Sequence, residues 1–186
     1  LYTEPKGEMK PCCIAGGFDE PINLNTMTIK DAFNSPQMKQ LRKDMEEGKR
    51  NKVCDVCYKR EDTTGHSPRI DVFNTNPSWK KPELTEDYSV PTDFQHIDIR
   101  FSNLCNFKCR MCNHDFSSNW YEDMKKIRPQ NVRETKVLKA TPTIVEDLIP
   151  HLSKVKSFYF AGGEPLIMPE HYKVLKYLHT NFPKRK

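Results

Sequence analysis

Three cysteines fall within eight residues in the segment CNFKCRMC, at Cys105, Cys109 and Cys112. Thiolates are the ligands that soft iron-sulfur clusters take, and spacings of three and two intervening residues let one loop wrap a compact centre. Three ligands are one too few for a four-iron cubane, so one iron keeps an open position where a cofactor can bind. A zinc site is the competing reading, because His114 stands two residues beyond Cys112 as a candidate fourth ligand. Four more cysteines lie upstream, Cys12, Cys13, Cys54 and Cys57. A CxxC pair is a common half-site for zinc or iron-sulfur, and the two earlier thiols would complete it. Cys12 and Cys13 are adjacent, and neighbouring side chains of an extended segment point opposite ways, so both need not ligate. Auxiliary iron-sulfur cluster, structural zinc and free thiols all stay open for this group.

Elements with recognisable ends should hold these residues. Ile97, Ile99 and Phe101 alternate with His96, Asp98 and Arg100, which predicts a strand with one apolar and one polar face running into the cysteine loop. That polar face either lines a wet, substrate-accessible interior or meets the connector or solvent. Behind the loop, Trp120, Met124 and Ile127 recur at helical spacing. Thr143 and Glu146 make a capping-box pattern for a short helix carrying Leu148 and Ile149. Ser157 to Phe160 reads as a buried strand, and Pro169 opens a last helix with Tyr172, Val174, Leu175 and Leu178 inward. Strand, helices, strand, helix implies neighbouring parallel strands. Upstream, Ser35 and Pro36 start a helix with Met38, Leu41 and Met45 at helical spacing, stopped by Gly48. Between the two regions, Pro68, Pro77, Pro82 and Pro91 predict an irregular connector that Trp79 and Phe73 could pin onto a neighbouring surface. The organisation read from this is a Cys-rich module at 1–62, a linker at 63–94 and an α/β unit at 95–186.

At the end of the second strand stands Gly162-Gly163-Glu164-Pro165. Glycines let a backbone approach a ligand closely, and the Glu164 carbonyl or carboxylate can accept hydrogen bonds from an ammonium group. A Gly-Gly turn alone is commonplace. Placed one βα unit after a CxxxCxxC loop, it resembles the radical S-adenosylmethionine (radical SAM) superfamily. The resemblance implies a 4Fe-4S cluster on Cys105, Cys109 and Cys112, whose unique iron is chelated by the amino and carboxylate groups of S-adenosylmethionine. It also implies that Gly162, Gly163, Glu164 and Pro165 hold the cofactor's amino group. One-electron reduction would then release methionine and a 5′-deoxyadenosyl radical that takes hydrogen from a substrate, with a reductant such as flavodoxin or ferredoxin as partner. The residue before the third cysteine is usually aromatic in that superfamily and contacts the adenine. Here it is Met111, whose thioether can pack on a ring, and Phe107 is a candidate substitute. The PCC segment, short helix and CxxC of residues 1–62 resemble the truncated auxiliary-cluster module called twitch, found in peptide- and protein-modifying members, although here it precedes the core. The implied fold is α/β, the first βα units of a partial barrel of the triose-phosphate-isomerase type behind a small Cys-rich module. Only two of the βα units of such a barrel are present. With Leu1 first and Lys184 to Lys186 trailing as an exposed tail, a fragment at both ends, inactive alone, is expected.

Composition bounds the alternatives. Of 186 residues, 36% are hydrophobic and 30% charged, which concentrates the core in a few segments. No apolar run approaches the roughly 18 residues of a membrane span, and no basic-then-apolar signal opens the chain, so a cytoplasmic protein is expected. Seven cysteines in that compartment favour metal or redox chemistry over disulfides. Lys and Arg number 30 against 25 Asp and Glu, a net +5 that is mostly interleaved with acids. No basic stripe alternates with stacking aromatics, so nucleic acid is not the expected partner. The first expectation is therefore a radical SAM enzyme acting on a substrate such as a peptide or protein side chain. Its alternative is a non-catalytic zinc or iron-sulfur binding module.

Overall fold

A computed structural model describes residues 1–183; the expected tail at Lys184 to Lys186 lies outside the described residues. The architecture is mixed α/β. Strands β1 (Tyr2–Thr3), β2 (Glu8–Lys10) and β3 (Ile22–Asn23) form an antiparallel meander. Helices α1 (Ile29–Phe33), α2 (Pro36–Glu46), α3 (Asp55–Thr64) and α4 (Pro68–Thr75) follow. Then come β4 (His96–Ile99), α5 (Tyr121–Ile127), α6 (Ile144–Leu148), β5 (Ser157–Phe160) and α7 (Pro169–Asn181). The sheet order is β3-β2-β1-β4-β5, with β1–β4 and β4–β5 parallel. The parallel β4–β5 pair, in register Ile97 to Phe158 and Ile99 to Phe160, matches the expected strand order. What the sequence reading did not contain is β1 on the other side of β4, pairing Tyr2 with Asp98.

That pairing makes one sheet out of segments almost a hundred residues apart, and the core is correspondingly continuous. Met9, Ile22, Ile29 and Leu41 from the first region join Ile97, Ile99, Leu148 and Val174 in a single buried cluster. The Asp147 carboxylate accepts from Ile29 N at 2.6 Å, and Phe33 meets Phe94 edge-on at 4.8 Å.

Several local expectations need correction. The connector is not irregular throughout: α3 runs on to Thr64, and α4 occupies Pro68–Thr75. Pro68 stands in the first turn of α4, where its missing N–H would have had no intrahelical partner anyway, so it starts a helix instead of breaking one. In α5 the buried residue is Tyr121, while Ile127 is 69% exposed. In α7 His171 and Val174 face inward, and Tyr172 and Leu175 are exposed. Strand β5 stands at the sheet edge with Tyr159 exposed, so it is only half-buried. Thr143 makes no side-chain cap on α6; burial of Ile144, Val145 and Leu148 holds that helix instead. In α2, Ser35 and Pro36 start the helix as expected with Met38 and Leu41 buried, but Met45 is exposed. Trp79 stacks on His96 at 5.3 Å and ties the connector to β4, while the side chain of Phe73 lies outside the described residues.

Candidate metal centre

Strand β4 delivers the chain to Asn103, a fully buried residue whose importance no pattern in the sequence announced. Its side-chain amide donates to His114 O at 3.1 Å and to Lys136 O at 3.2 Å, and its side-chain carbonyl accepts from Leu138 N at 2.7 Å. Its own carbonyl accepts from Ser118 N at 2.7 Å. One side chain thereby clamps the far end of the cysteine loop and the segment 136–138 to the end of β4. Asn103→Ala would leave several of these buried groups unpaired, so a loss of about 2–4 kcal/mol is expected in urea unfolding. A loss below about 1 kcal/mol would show that the clamp is not needed.

The loop is held through its backbone by hydrogen bonds with the segment that follows it. Cys105 N donates to Ser118 Oγ at 3.1 Å, Ser117 Oγ to Phe107 O at 3.0 Å, and Trp120 Nε1 to Cys109 O at 3.0 Å. Cys105 and Cys112 are half-buried, and Cys109 is exposed. Phe107 N points at Cys105 Sγ at 3.3 Å, the kind of N–H to sulfur contact that tunes iron-sulfur centres. Burial raises the Cys112 thiol pKa above the ordinary range; a hydrogen bond with the Asn113 backbone opposes this, and the nearby Cys105 and Cys109 add to the rise. Met111 is 98% exposed and Phe107 is exposed too, both on the outside of the loop.

The Gly162-Gly163 turn packs onto the root of this loop. Gly163 N donates to Phe116 O at 2.6 Å, and Glu164 N to Leu104 O at 2.8 Å. A Cβ on Gly163 would lie 2.1 Å from Leu104 O, and one on Gly162 would lie 2.7 Å from Arg100 Cβ. Glu164 Oε1 accepts from Leu166 N at 3.0 Å and caps a single 3-10 turn at Pro165–Ile167. The turn is therefore hydrogen-bonded to residues on both sides of the three-cysteine loop, Leu104 before it and Phe116 after it.

Asp98 and Arg100, expected on a polar face, are both buried. Arg100 Nη1 donates to Asp98 Oδ1 at 2.5 Å and to Thr3 O at 3.3 Å. The guanidinium lies 4.5 Å from the Tyr2 ring and 5.7 Å from that of Phe116. Burial pushes the Asp98 carboxyl up, and Arg100 pulls it back. This pair faces β1 and Phe116, so its geometry docks the first region onto β4.

In the first region Cys12, Cys54 and Cys57 border one largely apolar cavity of about 370 Å3, together with Val53, Met45 and Arg69. Gly16 N donates to Val53 O at 2.8 Å and draws the segment after Cys13 against the start of α3. Cys13 borders a different cavity, with Tyr2 and Asp98, while Cys12 borders both. Burial pushes the Cys54 thiol up to about 11, with Cys12 and Cys57 adding to the shift and Arg69 opposing it. Among the described residues no three His, Cys, Asp or Glu side chains converge on a single ion position, and no cysteine forms a disulfide. His114 is buried and hydrogen-bonded through Nε2 to Asn131 O at 3.2 Å.

Residues 1–58 match SPASM, an iron-sulfur cluster-binding domain. The match spans somewhat under a third of the 186 residues and takes in Cys12, Cys13, Cys54 and Cys57. SPASM domains occur in radical SAM proteins. No curated protein and no solved structure gives a significant match to the chain. The donor types fit such a group: a cluster takes thiolates on different irons around a volume, and here three cysteines border one cavity. Among the described residues no helix is long and apolar enough to cross a membrane.

Proposed function

We propose that this protein is a radical SAM enzyme with an auxiliary iron-sulfur cluster. The observation that carries the reading is the hydrogen-bonded docking of the Gly162-Gly163-Glu164 turn on the residues flanking the three-thiol loop, Gly163 N donating to Phe116 O and Glu164 N to Leu104 O, the residue before the first cysteine. In this reading Cys105, Cys109 and Cys112 hold a 4Fe-4S cluster, and Cys12, Cys54 and Cys57, with Cys13 adjoining, hold the auxiliary one. A cluster held by Cys105, Cys109 and Cys112 would, when reduced, supply the electron for cleavage of S-adenosylmethionine and so for radical chemistry on a substrate such as a peptide side chain.

The protein's own part is positioning. Ser117, Ser118 and Trp120 hold the loop through its backbone atoms and not through its sulfurs. The Gly162-Gly163 turn offers backbone beside that loop, and Glu164 keeps one carboxylate oxygen beyond the one bonded to Leu166 N for an ammonium group. The SPASM match supports the auxiliary half of the reading.

The test is electron paramagnetic resonance of the anaerobically reconstituted, reduced protein with and without S-adenosylmethionine. A four-iron signal that shifts on adding the cofactor is expected. A cluster signal unmoved by the cofactor would instead favour a non-catalytic iron-sulfur module, and stoichiometric zinc without iron would overturn both.

A further inference from the structure

The cavity of about 370 Å3 in the first region is bordered by Cys12, Cys54 and Cys57, by apolar residues such as Val53 and Val72, and by Arg69. Among the described residues that line it, Arg69 alone carries a fixed charge. It comes from α4, beyond residue 58, where the SPASM match ends. A segment outside the matched domain therefore supplies the one cation at its cysteines.

The guanidinium is held in place. Arg69 Nε donates to Glu61 Oε1 at 3.1 Å and Nη2 to Glu61 Oε2 at 2.5 Å, a bidentate fork that fixes its plane as well as its position. Ser67 Oγ donates to the same Glu61 Oε1, and the buried Tyr58 ring lies 4.8 Å from the guanidinium carbon. Glu61 is not among the residues that border the cavity. The ion pair therefore presents its positive member to the cysteines. The Arg69 side chain is 31% exposed, so solvent screens part of its charge but not all of it.

We infer that Arg69 sets the charge balance of the centre held by Cys12, Cys54 and Cys57 and raises its reduction potential, and the inference rests on the auxiliary-cluster reading above. Thiolate ligands make such a centre negative, and the added electron makes it more so. A fixed cation at its border stabilises the reduced form more than the oxidised one, in the way that net charge and surroundings tune iron-sulfur potentials. Glu61 and Ser67 are positioning residues: they orient the fork from outside the cavity lining, and the Glu61 charge partly offsets that of Arg69.

The test measures the reduction potential of the reconstituted full chain in a Cys109→Ala background, in which the first-region centre provides the signal. Arg69→Gln is expected to lower the equilibrium constant for reduction about tenfold, a shift of about 59 mV for one electron. Arg69→Lys, which keeps the charge though not the fork, should stay close to the parent, and Glu61→Gln should raise the potential. Arg69→Gln and Glu61→Gln break the same fork, so a merely structural tie between α3 and α4 predicts shifts of the same sign in both, or none. Either of those results would overturn the inference. The same field is read without metal from the alkylation of Cys12, which is exposed, by iodoacetate and by iodoacetamide. Both reagents attack the same thiolate, so the ratio of their rates reports the local field on the anionic reagent and not the ionisation of the thiol. The iodoacetate-to-iodoacetamide ratio should fall in Arg69→Gln and rise in Glu61→Gln, and a ratio unchanged in both would overturn the inference. If the first-region cysteines take up no iron, the auxiliary-cluster reading itself fails, and the alkylation ratio still decides whether Arg69 acts on them.

Discussion

Replacing Cys109 by alanine is expected to remove the cofactor-responsive four-iron signal completely while leaving the fold intact. Cys109 is exposed, and its place in the loop is held through its carbonyl by Trp120 Nε1 at 3.0 Å, a contact the substitution keeps. The metal-free variant should therefore unfold within about 0.5 kcal/mol of the wild type, as exposed substitutions usually do. With one of three thiolates gone, the loop cannot hold a cluster that has no fourth protein ligand to spare. In the proposed two-cluster reading iron content should fall without vanishing, because the cysteines around the Cys12, Cys54 and Cys57 cavity are untouched. Iron analysis, spectroscopy and urea unfolding on the same preparations check all three statements. A variant that kept the cofactor-induced shift would remove Cys109 from the ligand set.

The second large effect is expected at Gly163. Its φ of +64° is left-handed, which costs a residue with a side chain about 1–2 kcal/mol. The added Cβ would also lie 2.1 Å from Leu104 O and 2.8 Å from the Asn103 carbonyl carbon, so backbone must move. Gly163→Ala is therefore expected to cost about 3–5 kcal/mol and to displace the residue that leads into Cys105. Gly48 provides the control: its φ of +69° is similar, but nothing lies within 4 Å of a Cβ built there. Gly48→Ala should show the conformational cost alone, about 1–2 kcal/mol. Equal losses at the two glycines would mean that the turn does not press on the loop as described.

The candidate ligands were legible because ligand chemistry depends on side-chain type and short spacing. The Cys105, Cys109 and Cys112 loop, the Cys54 and Cys57 pair and the Gly162-Gly163 turn can be read without coordinates. So can the start of α2 at Ser35 and Pro36 and the two neighbouring strands β4 and β5. Short helices were less legible. With only seven residues in α5, three apolar positions do not define a stripe, and tertiary packing chose Tyr121 over Ile127 as the buried one.

What only the tertiary structure decided is how distant segments meet. The alternation of Ile97, Asp98, Ile99 and Arg100 looks the same whether the second face meets water or another strand. It is β1, pairing Tyr2 with Asp98, that buries the Asp98–Arg100 pair and joins the first region to the sheet. Asn103 looks like any polar loop residue until its amide is found bonded to the loop end and to residues 136–138. Local sequence therefore determined which groups can ligate and where strands and caps begin. Long-range hydrogen bonding and burial, which no short window contains, determined that the glycine turn packs on the root of the three-cysteine loop.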